Sequence, residues 1–357
     1  VEAIRMIHLP QPPLRPATRT GRPVCLFIAT LLSLAVAASS LRAAGVEFLG
    51  HAGPGKGKRI VLVAGDDEYH SEEMLPQLAK ILAERQGFDC TVLFAINPTD
   101  GTIDPHQRRN IPGLEALEKA DLLILFVRFR DLPDDQMKNV VDYLDSGRPV
   151  IGIRTATHAF AIEAGQTYAR YSWNSKIEGW DGGFGRKVLG ETWVAHHGDH
   201  GKQSTRAVIV PGEDKNPILR GIGDREIWVP TDVYAVRLPL PATCQPLLLG
   251  QVLSGIEASA PSVPGKPNDP MLPVAWTNAY TGTLGKTSRV FTTTMGSADD
   301  FLNDAFRRLL VNASFWALGL EAKIPAKADV GIIGTYQPRS FLDEDYTKGV
   351  HPPDLAK

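Results

Sequence analysis

Gly147-Arg-Pro-Val-Ile-Gly-Ile-Arg-Thr-Ala-Thr-His-Ala-Phe160 is the stretch on which the reading of this chain turns. An apolar run over 150–153 stops abruptly at the polar cluster Arg154, Thr155, Ala156, Thr157 and His158, where a parallel strand would end. In open α/β sheets, ligands bind in the crevice outside the carboxyl ends of the strands. A sharp strand-to-helix turn there is also where hydrolases present a nucleophilic serine. This turn carries neither serine nor cysteine.

Upstream of that turn the chain alternates. A β-branched run at 59–64 precedes a helical pattern at 74–85, with Leu75, Leu78, Ile81 and Leu82 on one side. Strand-like runs follow at 89–94 and 122–127. An amphipathic helix at 134–145, with Met137, Val140, Val141 and Leu144 inward, then leads to 150–153. Strands separated by helices of this length predict βαβ units and a parallel sheet with right-handed crossovers. Beyond residue 160 the rhythm changes. A Gly-, Trp- and Tyr-rich segment at 168–190 predicts a long loop. Strand-like runs follow at 207–210, 227–236, 245–252, 273–276 and 289–294, and then a helix at 299–318. The Pro/Gly-rich stretch 258–270 predicts a surface excursion.

The chain has 357 residues, 43% hydrophobic and 22% charged, with a formal net charge of −2. That balance gives no electrostatic reason to expect nucleic acid. Residues 1–44 read as a secretory signal: Arg15, Arg19 and Arg22 precede a short apolar run over 25–38 and a tail of small residues. The run is shorter than the roughly 20 apolar residues that span a bilayer, so no stable membrane anchor is expected after cleavage at 37–45. The expected organisation is signal peptide 1–44, Gly/Lys linker 45–57, one α/β domain 58–320 and a C-terminal extension 321–357 that wraps it. Export places Cys90 and Cys244 where a disulfide can form, with buried reduced thiols as the alternative.

Three polar constellations fall at turns. After the first strand, Asp66, Asp67, Glu68 and His70 are expected to face the crevice, while Ser71, Glu72 and Glu73 cap the next helix. At the elbow, Arg154 is suited to a carboxylate or hydroxyl-rich ligand and His158 to acid/base work. In Trp193-Val-Ala-His-His-Gly-Asp-His200, the three histidines His196, His197 and His200 are ligand types for zinc or another divalent metal. Consecutive strand residues point to opposite faces, so His196 and His197 share a site only if the chain turns between them.

In combination and in order, these segments resemble the ThuA-like (trehalose-utilisation) family of the class I glutamine-amidotransferase-like superfamily. The resemblance spans residues 58 to 320. It rests on the turn 65–70, the elbow Gly152-Ile-Arg-Thr-Ala-Thr-His158 and the 193–200 segment. It continues through Asp232-Val-Tyr234, Pro273-Val-Ala-Trp276, Ser288-Arg-Val-Phe291, Thr294-Met-Gly296 and Leu309-Leu-Val-Asn-Ala313 to Trp316. The resemblance implies a flavodoxin-like, mainly parallel sheet flanked by helices, without the amidotransferase cysteine. Two positions depart from the commoner pattern: Arg154 and Ser297 stand where many relatives have histidine.

The resemblance implies sugar metabolism, including work on 3-keto-glucosides. The expectation is therefore an exported enzyme acting on a glycoside or 3-keto sugar without a covalent nucleophile. Glu68, His70, Arg154 and His158 are the catalytic candidates. Asp66, Thr155, Trp173 and Trp180 are the candidates for substrate contact, because aromatic faces suit sugar C–H surfaces. His196, His197 and His200 are the candidates for a divalent metal. The competing expectation is a non-catalytic sugar- or protein-binding domain on the same fold, with an aromatic platform and no acid/base pair.

Overall fold

The computed structural model describes residues 45–356, so the expected signal segment lies outside the described residues. The elements are β1 (Gly45–Phe48), β2 (Arg59–Gly65), α1 (Ser71–Glu84), β3 (Asp89–Phe94), β4 (Leu122–Val127), α2 (Asp134–Asp145) and β5 (Val150–Ile153). They continue as β6 (Ala195–His196), β7 (Ser204–Ile209), β8 (Trp228–Val229), β9 (Tyr234–Ala235), β10 (Gln245–Leu253), β11 (Leu272–Thr281), β12 (Thr287–Thr293) and α3 (Asp304–Ala317). Among the described residues, no helix is long and apolar enough to cross a membrane.

One ten-stranded sheet carries the domain, in the order β1-β3-β2-β4-β5-β12-β11-β10-β7-β8. β3, β2, β4, β5 and β12 run parallel, as the βαβ rhythm predicts. The remaining neighbours pair antiparallel, so the sheet is mixed and not mainly parallel. At β11–β12 the reason lies in the connection: residues 282–286 are too few for a crossover, so the two strands must pair antiparallel. β2 shows how the sheet divides the core. Ile60, Leu62 and Ala64 face one apolar layer with α1 and α3, while Val61 and Val63 face the other with α2. That is the two-residue alternation of a strand buried on both faces.

Several expectations are corrected. Residues 45–57 are not a free linker: β1 pairs with the edge strand β3, and the Gly55 N–H donates to the Gln86 carbonyl at 2.8 Å. The run 227–236 is two short strands in different sheets, with Pro230 between them. The helix expected at 299–318 begins only at Asp304, where the Asn303 side chain accepts the Phe306 N–H. Ser71 does not cap α1. It is the first helical residue, and its Oγ accepts the Asp66 N–H at 2.9 Å while His70 takes the cap position at φ 55°. Cys90 and Cys244 are both unpaired thiols.

The elbow and the long loop lock together at Gly185. A Cβ built there would lie 2.1 Å from the Thr157 carbonyl oxygen, which is backbone and cannot swing aside. Gly185→Ala should therefore destabilise the fold by about 1–3 kcal/mol, the usual range for overpacking. A urea unfolding midpoint unchanged from wild type would contradict this packing.

Candidate functional site

Because β2, β4, β5 and β12 are parallel, the turns that follow them open on one edge of the sheet. Left-handed backbone at non-glycine residues gathers in those turns: His70 at φ 55° after β2, Phe129 at φ 49° after β4 and Arg154 at φ 43° after β5. Clustering of this kind is a mark of functional sites. Arg154 holds the strained elbow position that presents the nucleophile in hydrolases, directly after β5.

Arg154 has no solvent exposure at all. Its guanidinium carbon sits 4.1 Å from the ring centroids of both Tyr69 and Tyr234. Its nitrogens donate to Asp232 Oδ1 at 2.8 Å, the Thr294 carbonyl at 2.8 Å and the Tyr69 hydroxyl at 3.1 Å. Desolvated cation–π contacts contribute on the order of 2 kcal/mol each. A guanidinium so enclosed cannot contact substrate, and the catalytic role expected for Arg154 is replaced by an architectural one.

Asp232 is the other half of this arrangement. Its side chain is fully buried. Oδ2 pairs with His196 Nδ1 at 2.8 Å and Oδ1 with His200 Nδ1 at 3.4 Å. Burial opposes its ionisation. The bonds from both imidazoles and the charge of Arg154 outweigh that and hold the carboxyl well below its ordinary value. An ionised carboxylate only accepts, so both histidines turn an Nδ1–H toward it, and Nε2 is the nitrogen left for another partner. His200 Nε2 lies 3.8 Å from Glu68 Oε1, and ligand atoms of Glu68, His196 and His200 all fall within 4.8 Å of one another. A carboxylate that orients two imidazoles from behind is the usual second layer of a metal site.

The short β6–β9 ribbon delivers His196, and His200 sits in the turn that follows. Ala195 and His196 pair with Ala235 and Tyr234, and the His197 N–H donates to the Val233 carbonyl. Strand alternation then turns His197 away, with its Nε2 2.9 Å from the Pro267 carbonyl oxygen. His197 does not belong with His196 and His200.

His158 is 3% exposed. Burial, followed by the charges of Arg128 and Arg154, holds its imidazole well below the ordinary value, so it is neutral. The Thr157 hydroxyl donates its one hydrogen to the Arg154 carbonyl at 2.9 Å and stands 3.2 Å from His158 Nδ1. Nδ1 must then be the donor of that pair, which leaves Nε2 basic. Around the ring lie Phe129 at 4.8 Å, Trp193 at 5.1 Å and Tyr234 at 6.0 Å. Trp193 also meets His196 at 6.0 Å, so the two imidazoles flank one indole.

The expected substrate contacts divide. Trp173 packs on Phe129 at 5.6 Å and Trp193 at 5.8 Å, beside His158. Trp180 lies elsewhere, 4.5 Å from Tyr171 with Arg170 over its outer face, and packs the long loop down. Asp66 and Thr155 are fully buried and bonded to each other at 2.6 Å, tying the turn after β2 to the elbow. Burial and the neighbouring Asp67 push the Asp66 carboxyl up to about 6. Both residues are braces and touch no open surface.

Glu68 stays at the rim, paired with Arg128 at 2.8 Å. His70 departs from the expected cluster: its Nε2 lies 3.1 Å from the Ser340 carbonyl oxygen, and its Nδ1 faces Glu72. The C-terminal extension passes over this side. It seats Phe341 5.4 Å from His200 and 6.1 Å from Tyr69, so it forms one wall of the site.

The profile of the trehalose-utilisation (ThuA) family matches residues 60–317. The chain belongs to the ThuA family. No curated protein matches its sequence. Among solved structures it is similar to a ThuA-like protein from Parabacteroides merdae at 15% identity, covering 74% of this chain and 90% of that one with a TM-score of 0.44. It is also similar to a ThuA-like protein from Bacteroides uniformis at 15% identity, covering 75% and 94%, with a TM-score of 0.46.

Sequence reasoning missed Asp232 as a site residue, although the segment from Asp232 to Tyr234 is part of the family resemblance. An acid followed at once by apolar residues gives no local sign of a partner, and its partners lie 36 and 78 residues away. Phe129, Trp193 and Phe341 were missed for the same reason.

Asp232→Asn leaves Arg154 buried without its counter-charge, which should destabilise the protein by about 3–5 kcal/mol near neutral pH. The sign with pH follows from the lowered folded-state value. The carboxylate's contribution is present above the unfolded value of 3.8 and lost as pH falls below it. In urea titrations the wild type's advantage over the variant should therefore shrink on acidification. An advantage that holds constant into acid would show that Asp232 is not the charged partner.

Proposed function

We propose that this ThuA-family chain is an exported carbohydrate-active enzyme. Its substrate is a glycoside or 3-keto sugar, and its chemistry is acid/base, assisted by a divalent metal, with no covalent nucleophile. The parallel half of its sheet is read as the flavodoxin-like part of the fold. The observation that carries the proposal is the placement of Asp232 behind His196 and His200, with ligand atoms of both imidazoles and of Glu68 within 4.8 Å of one another. The family's link to trehalose utilisation supports the substrate class. Acids and imidazoles converging with an aromatic wall favour an enzyme over a passive sugar-binding domain.

The donor set of Glu68, His196 and His200 suits zinc or a neighbouring transition ion, with one carboxylate and two imidazoles preset by Asp232. A cation there would supply positive charge beside a carbonyl or hydroxyl oxygen of the sugar. The chain's own residues supply the rest. In a 3-keto-glycoside, the hydrogen on the carbon between the ketone and the anomeric centre is acidic. His158 Nε2 takes that proton, the C–H electron pair becomes a carbon–carbon double bond, and the aglycone leaves the anomeric carbon with its bonding pair and acquires a proton. Trp173, Phe129 and Trp193 cover the sugar face and keep water from His158.

Purified protein should carry metal that chelation removes, together with activity on 3-keto-glycosides. His158→Ala should lower kcat by about 10²–10⁴, the usual weight of a general base. The acid limb of the wild-type rate profile should lie below the ordinary imidazole value of 6.5, because burial lowers His158. Protein inert toward a panel of glycosides and 3-keto-glycosides, with and without zinc, cobalt or manganese, would end this reading.

A further inference from the structure

Arg128 reaches the proposed metal site from the turn after β4. Its planar fork divides between two neighbouring carboxylates on the turn after β2. Nη1 donates to Asp67 Oδ1 at 3.1 Å, and Nη2 pairs with Glu68 Oε2 at 2.8 Å. The other oxygen of Glu68, Oε1, is the one turned to His200 Nε2, at 3.8 Å. Glu68 therefore meets a guanidinium with one oxygen and the histidines with the other.

Both partners are fixed where they stand. The Arg128 N–H donates to the Gly65 carbonyl at 3.0 Å, and the guanidinium carbon lies 4.9 Å from the Phe129 ring centroid. The Glu68 N–H donates to Asp66 Oδ1 at 2.9 Å. A lysine ammonium is a single point charge, whereas the arginine fork serves both carboxylates at once and offsets the repulsion between them. The consequence lies in the ligand count. One oxygen of Glu68 with His196 and His200 makes three protein donors, the number with which catalytic zinc sites keep a fourth position open. Both Glu68 oxygens would make four donors and fill that position.

We propose that Arg128 is a positioning residue: by holding Glu68 Oε2 it confines the carboxylate to ligation through one oxygen and keeps a coordination position free for a substrate oxygen. It does so at the expense of metal affinity, because its positive charge stands beside the cation's ligand. This inference rests on the metal-assisted reading above. Its sign separates it from a merely structural role. A residue that only supported the fold would lower metal affinity on removal, whereas one that competes with the ion for Glu68 raises it.

Co²⁺ titration of the full chain, read by visible absorption, tests this, with azide as a small anion that takes an open position. The wild type should bind Co²⁺, and azide should change its spectrum. Arg128→Gln should bind Co²⁺ about tenfold more tightly, since a positive charge is removed and a second oxygen is freed. Its spectrum should no longer answer azide. In E68Q/R128Q at saturating Co²⁺ the response should return, because the carboxylate that filled the position is gone. A wild type that binds no metal overturns the metal-assisted reading and the clamp with it. An R128Q protein that binds no more tightly, or still answers azide as the wild type does, overturns the clamp alone. So does a double variant that binds Co²⁺ and stays silent to azide. Asp67 keeps Arg108 at 3.7 Å and Arg130 at 3.6 Å, so removal of Arg128 does not strand it. If R128Q nonetheless loses its circular dichroism, R128K, which keeps the charge but has no second arm for Glu68, should show the same loss of azide response.

Discussion

A guanidinium removed entirely from water is the constraint on which this site depends. Arg154 stands at the end of β5, where no solvent reaches it, and its charge has to be answered within the protein. Two tyrosine faces, two backbone carbonyls and the Asp232 carboxylate answer it. Such a buried pair is weak evidence for net stability, since desolvation offsets much of its attraction. Its consequence here is positional. Asp232 is held in one place and in one ionisation state, and from that place it sets the direction of two imidazoles.

The elbow has thereby changed its task. In hydrolases this strained turn pushes a nucleophile out toward substrate. In this chain the same backbone turns a side chain inward as an anchor. The groups able to do chemistry are supplied around it: Glu68 from the turn after β2, His158 from the end of the elbow itself, His196 from the β6–β9 ribbon and His200 from the turn that follows it. Asp66 and Thr155 hold the first two of these sources together through a bond that water cannot reach.

The antiparallel half of the sheet and the C-terminal extension complete the rim. The β6–β9 ribbon leads into β7 from one strand and into β10 from the other, and on it the register chooses His196 over His197. The extension then crosses α1 and lays Phe341 on Tyr69 and His200. Three parts of the chain far apart in sequence thus meet on one edge.

Sequence periodicity was enough for the elements that depend on local forces. The βαβ rhythm from 59 to 153 was legible because each strand and helix buries a regular pattern of side chains. The elbow was legible as an apolar run ending in polar residues, and the ordered segments carried the family. Antiparallel closure was not legible, since strand-like runs look alike whichever way they pair. Nor was the division of labour at the site. Arg154, Asp66 and Thr155 have the chemistry of ligand-binding residues, and only burial by distant partners makes them braces. His196 and His197 are identical as letters, and the register against Tyr234 separates them. Asp232 was an acid without a visible task until packing brought Arg154, His196 and His200 around it. Local sequence determines what a residue can do; the tertiary structure decides whether water and substrate can reach it.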